Sequence, residues 1–182
     1  MSYLRFGTMI ATSTVVMFGL MYLHTYALDH LRYSQTRMWM ALLMGAAMAI
    51  IMLLFMRAMY RNRRANIAIL AGSALVAAAS LWLVRSQETV GDLAYMKAMV
   101  PHHSIAILTS ERAHIRDPRV RRLADKIIEA QEREIAEMNH LIAELQRNPV
   151  AADAPGLPPR STLVDTVRPS SAEAPTGGPA ER

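Results

Sequence analysis

Two methionines three residues apart, a proline and two adjacent histidines stand together in the stretch MKAMVPHHSIAI, residues 96–107. A thioether is a soft ligand, and with imidazole it suits monovalent copper or silver. Met96 and Met99 are three apart, as are Met99 and His102, while Met99 and His103 are four apart. Side chains at these spacings share one face of a helix. His102 and His103 diverge by about 100° at 3.6 residues per turn, so only one points fully inward with Met99. The other is left to reach a partner helix or a second copy. Pro101 removes a backbone donor and leaves the Lys97 carbonyl without its usual partner. The expected result is a bend that shifts the imidazoles relative to the thioethers. The structural alternative is that methionine fills a core, as it readily does, and that the histidines serve packing.

The elements that must position these groups are two helices. Leu93, Met96, Met99, His103 and Ile107 recur at helical spacing over 92–114. The sequence RDPRV then supplies a stop and a restart, with Asp117 as N-cap and Pro118 in the first turn. A second helix is expected to Arg147, with Asn148-Pro149 ending it. Its expected buried face is Leu123, Ile127, Gln131, Glu134, Met138 and Leu141. Glu134 could accept a hydrogen bond from a histidine and fix its tautomer. Two helices alone bury little surface. The hairpin is therefore expected to pair with a second copy, as a four-helix bundle across a homodimer, or to lie on the rest of the chain.

A second ligand pattern is present. Glu111 with His114, and Glu137 with His140, are both Glu-x-x-His pairs. Carboxylate-bridged di-iron bundles use such pairs together with further glutamates. The further partners are not evident, and a solvated surface is the favoured reading of both.

Composition narrows the chemistry. The chain has 182 residues, is 52% hydrophobic and 6% aromatic, and contains no cysteine. Thiolate sites and disulfides are excluded, so a soft-metal site must use Met and His. Eleven of the 14 methionines precede residue 61. Three apolar runs, 6–23, 38–56 and 67–84, have no Asp, Glu, Lys or Arg, and each approaches the ~20 residues that span a bilayer. Tyr22, Tyr26, Trp39 and Trp82 lie near their ends, where interfacial aromatics belong. The first run reads as an uncleaved helix rather than a signal peptide. Met40, Met44, Met48, Met52 and Met56 recur every four residues, which marks a packing face.

The net charge is +5, but Arg57, Arg61, Arg63 and Arg64 cluster between two apolar runs. That is the pattern of a cytoplasmic membrane loop and not of a nucleic-acid surface. It places the N-terminus inside, and residues 24–37 and everything after Arg85 outside. The expected location is a multi-pass bacterial inner membrane with a periplasmic C-terminal domain. The spans lack acidic residues and the chain lacks a nucleotide-binding loop, so an energised transporter is not indicated. Residues 149–182 hold seven of the nine prolines and few large apolar residues, as expected of a disordered tail. The expected organisation is a membrane region (1–85), a helical hairpin (90–148) and this tail (149–182).

The stretch YMKAMVPHHSIAI followed by RRLADKIIEAQEREIAEM resembles the domain-of-unknown-function-305 family, whose pattern is M-x-x-M-[IV]-x-H-H-x-x-A-[IL] and then L-A-x-x-I-I-x-x-Q-x-x-E-I-x-x-M. The matching residues are Met96, Met99, His102, His103, Ala106, Ile107, Leu123, Ala124, Ile127, Ile128, Gln131, Glu134, Ile135 and Met138. The resemblance implies a ferritin-like helical bundle and, for some members, periplasmic copper or silver binding and resistance. Many members carry the pattern twice, whereas this chain carries it once, which strengthens the expectation of a dimer. The expected fold is all-α: three transmembrane helices, then an antiparallel ferritin-like hairpin. The expected function is non-enzymatic handling of monovalent copper or silver outside the cytoplasm. The expected metal site is Met96, Met99, His102, His103, Glu134 and Met138. The alternatives are an envelope protein-interaction module without metal and, less favoured, a di-iron enzyme.

Overall fold

Three small polar residues set where the apolar helices begin. Ser2 accepts from the Leu4 amide at 3.2 Å, Ser34 from the Arg37 amide at 3.2 Å, and Asn62 from the Ala65 amide at 3.1 Å. Each supplies an acceptor to an otherwise unpartnered donor of the first turn. The helices therefore start a few residues ahead of the apolar runs. The computed structural model describes residues 2–151 and 153–158. Its helices are α1 (Tyr3–Leu20), α2 (Gln35–Phe55), α3 (Arg63–Ser86), α4 (Asp92–Arg112) and α5 (Pro118–Arg147), with 3-10 turns at Leu28–His30 and Arg57–Met59. No strand occurs among the described residues, so the all-α expectation holds.

The first three helices have 18, 21 and 24 residues, or roughly 27, 32 and 36 Å at 1.5 Å per residue. All three are long and apolar enough to cross a membrane. α2 packs against both α1 and α3. Its buried residues are Ala41, Gly45, Ala46, Ala49 and Leu53, mostly small, as close helix packing in lipid favours. At one end the Tyr60 ring lies 4.9 Å from Tyr3 and 5.5 Å from Phe6. At the other end Arg37 donates to the Met21 carbonyl at 2.8 Å, and its guanidinium stands 4.5 Å over the Tyr22 ring. Met44, Met48, Met52 and Met56 are half-buried, whereas Met40 is exposed; Met52 and Met56 pack on Phe6, Ala49 and Leu53, so the expected packing face begins at Met44.

The chain turns out of α3 at Gln87, whose φ of 54° is left-handed, and enters α4 after five residues. α4 runs unbroken through Pro101, which is fully buried. Asp117 caps α5 by accepting from the Arg119 amide at 2.7 Å, and Pro118 occupies the first turn. α4 and α5 pack as the expected hairpin around Met96, Val100, Ile107, Ile135 and Ile142.

The buried face of α5 is rotated from the expected one. Leu123 is 59% exposed and Leu141 38%, whereas Ala124, Ile135 and Ile142 are buried. The α5 side of the hairpin core is Ile128, Ile135, Met138, Ile142 and Leu145, a near-heptad seam that leaves Leu123 and Leu141 on its flank. α4 also departs from the expected single face. Val100 and Ser104 are wholly buried, because α4 packs against α5 and also against α2 and the 3-10 turn at Leu28–His30. Residues 149–151 and 153–158 carry no helix or strand and are exposed. The rest of the 149–182 segment, expected to be a disordered tail, lies outside the described residues.

Candidate functional site

Between α4 and α5 lies an open cavity of about 580 Å³. Met96, Met99 and His103 enter it from α4, and Glu134 and Met138 from α5, with Tyr95 and Leu141 at its wall. Five of the six residues singled out from the sequence thus line one space. His102 does not line it. It is exposed, and its ring meets that of His103 edge-on with centroids 5.8 Å apart. Of the two adjacent histidines, His103 is the inward one.

The His103 side chain is 17% exposed, and its Nδ1 lies 2.9 Å from Glu134 Oε2. The distance is that of a hydrogen bond, but the direction is not: no acceptor lies along the ring N–H, and Nδ1 is a buried atom without an aligned partner. The contact is an electrostatic one. Burial lowers the His103 pKa below its ordinary value; Glu134 opposes this and His102 adds to it. The neutral imidazole, the form that ligates metals, is favoured.

The donors around the cavity are three thioethers, one imidazole and the carboxylates of Asp92, Glu134 and Glu137. Among the described residues no three of His, Asp and Glu approach closely enough to hold an ion. A site built on nitrogen and oxygen, as harder divalent ions prefer, is therefore not assembled among the described residues, while thioether and imidazole are the donor types that soft monovalent ions take. The thioethers are not equivalent. Met96 is 7% exposed and belongs to the hairpin core, and Met138 packs against that core. Met99 is half-buried and stands outside it.

The two Glu-x-x-His pairs are not brought together. Glu111, His114, Glu137 and His140 are all exposed. His140 lies 4.0 Å from Glu144, and Glu137 lines the cavity. Glu111 has a different neighbour: its carboxylate raises the pKa of the Tyr26 phenol.

Sequence reasoning missed the residue that joins the hairpin to the loop between α1 and α2. Ser104 Oγ accepts from the Tyr26 amide at 2.7 Å and lies 2.9 Å from His30 Nδ1. Asp29 stands 4.0 Å from the other nitrogen of His30. The series of serine, histidine and aspartate is a structural joint and not a nucleophile, because Ser104 is fully buried. The available signal was a serine in the apolar phase of α4, four residues after Val100 and three before Ile107.

Residues 92–179 match the family described as Domain of unknown function (DUF305). The chain is also similar to Uncharacterized protein L153 of Acanthamoeba polyphaga mimivirus, at 39% identity over 66 residues, 35% of this chain and 43% of that protein. The chain therefore spans less than half the length of that relative. No solved structure matches it.

Proposed function

As residues 92–179 match the family described as Domain of unknown function (DUF305), we propose that the chain is a member of it and a membrane-anchored protein whose hairpin binds monovalent copper or silver outside the cytoplasm. The observation that carries this reading is the convergence of Met96, Met99, His103 and Met138 on one cavity. Met99 and His103 are the principal ligands, and Met96 and Met138 are auxiliary. Glu134 acts through His103, its carboxylate lying 2.9 Å from Nδ1 and favouring positive charge on that ring. His102, exposed beside the cavity, meets the incoming ion or reaches a second copy. A homodimer is part of the proposal, since Leu123 and Leu141 stand uncovered on α5. The arginine loop between α2 and α3 sets the orientation with the hairpin outside.

Titration of the purified full chain with monovalent copper, against a competing chelator, tests the site. Tight binding is expected in the native chain. His103→Ala and Met99→Ala should abolish it at unchanged helical content, and Glu134→Gln should weaken it roughly tenfold. Glu111→Ala with His114→Ala should leave it unaltered. Absence of binding by the native chain sinks the proposal. It would favour a second reading, an interaction module without metal, which has its own support: Met96 and Met138 already have packing roles in the hairpin core.

A further inference from the structure

We propose that the end of the α1–α3 unit carrying Arg5, Arg57, Arg61, Arg63 and Arg64 is a binding surface for the phosphate headgroups of anionic phospholipids. All five arginines are exposed, and none forms an ion pair among the described residues. Nothing nearby in the sequence can neutralise them. Between residues 1 and 87 the sole carboxylate is Asp29. It lies in the 3-10 turn that follows the far end of α1, and Glu88 follows the far end of α3. The 24 residues of α3 set that separation at roughly 36 Å, far beyond the reach of an ion pair. Arg63 and Arg64 also occupy the first turn of α3, which contains no acidic residue. There the helix dipole is itself positive and opposes added cations. An anion relieves this repulsion.

The display is ordered. Tyr60 is 3% exposed under the Tyr3 and Phe6 rings. The Asn66 side chain donates to the Tyr60 carbonyl at 2.8 Å and accepts from the Tyr3 hydroxyl at 2.8 Å. Asn62 caps α3. The turn that carries the arginines is thus tied to both α1 and α3. All five basic residues are arginine, whose planar fork binds phosphate oxygens in pairs.

Apolar side chains at the same end select a lipid over a soluble phosphate. Leu4 is 77% exposed, Phe55 87% and Met59 46%, each next in sequence to an arginine or within two residues of one. A surface that alternates uncovered apolar groups with guanidinium groups matches the boundary between acyl chains and headgroups. The inference rests on the membrane reading of α1–α3 and is independent of the metal.

The test uses the full chain in nanodiscs of phosphatidylcholine mixed with phosphatidylglycerol, with retained lipids counted by native mass spectrometry. Co-flotation with pure phosphatidylcholine vesicles reports membrane incorporation separately. Preferential retention of phosphatidylglycerol is expected. Arg61→Gln, Arg63→Gln and Arg64→Gln combined should reduce that preference by roughly two orders of magnitude, since each basic residue near the surface is worth about fivefold. Lysine at the same three positions should keep the part of it that charge alone supplies and lose the part due to the paired fork, which shows that folding is not the cause. The proposal is overturned if the native chain shows no preference, if the glutamine variant keeps it, or if inorganic phosphate alone displaces the lipid.

Discussion

The hairpin core and the buried face of α2 differ in the size of the side chains they bury, although Phe6 and Tyr60 add large rings at one end of α2. In the hairpin the large apolar groups are inside: Met96, Val100, Ile107, Ile135 and Ile142 form the core. In α2 the buried positions are Ala41, Gly45, Ala46, Ala49 and, as the one large group, Leu53. Leu75 of α3 is 71% exposed, Val15 of α1 70% and Trp82 of α3 59%. Water drives the first arrangement, because apolar area removed from it is the main source of stability. The second would be untenable in water. In lipid an outward leucine loses nothing, and small residues let helix backbones approach closely. The outward large side chains suit helices that face an apolar surrounding, in keeping with three helices long and apolar enough to cross a membrane.

The largest test of this contrast is one truncation made on both sides. Ile135→Ala removes a 4%-exposed core side chain of the hairpin and should destabilise it by about 2–5 kcal/mol, read as a lower thermal midpoint of the hairpin's helical signal. Leu75→Ala removes a similar side chain from the outward face of α3 and should change stability in micelles by less than about 0.5 kcal/mol. Equal effects would mean that α3 is covered by protein and that the contrast is an illusion of the isolated chain.

The same contrast explains what could be read from the amino-acid order. The apolar helices were legible because a run that is apolar on every side needs no phase; their capped starts were missed, as was the end of α1 at Leu20, three residues before the run ends. The hairpin was legible from its turn, where Asp117 and Pro118 stand together. Its phase was not. Leu123 and Ala124 are neighbours, and the smaller residue is the buried one; a hydrophobicity pattern favours the leucine. The choice between His102 and His103 is the same ambiguity of about 100°. Ser104 was beyond local reasoning, since its partner Tyr26 lies 78 residues away.

A smaller effect is expected where a side chain is added. A Cβ at Gly45 would run into the Thr14 side chain, which is itself held by a 2.8 Å bond to the Ile10 carbonyl. Gly45→Ala should therefore push α1 off α2 and destabilise the unit by about 1–3 kcal/mol. At Gly72 the added carbon meets nothing within 4 Å, and Gly72→Ala should be neutral or stabilise α3 by up to about 1 kcal/mol. Thermal unfolding of both variants in micelles checks the pair. A harmless Gly45→Ala would show that α1 and α2 are not in close contact.

The smallest expected effect lies at the seam between the two halves, the hairpin and the α1–α3 unit. Ser104→Ala removes the acceptor of the Tyr26 amide and the hydroxyl beside His30. A donor left without a partner costs about 1–3 kcal/mol when buried. The bond is part-buried, so the lower figure applies. Hydrogen exchange at that amide should quicken about fivefold, the ratio that about 1 kcal/mol sets. The hairpin core and the α1–α2 packing should exchange as before. Thr109→Ala is the matched control, because Thr109 bonds only to carbonyls of its own helix and should leave Tyr26 unchanged. Unaltered exchange at Tyr26 in the Ser104 variant would mean that the hairpin does not dock on the loop through this serine. Faster exchange throughout the hairpin would mean that Ser104 serves the hairpin's own fold, and the boundary between the two halves would then lie before α4 and not across its face.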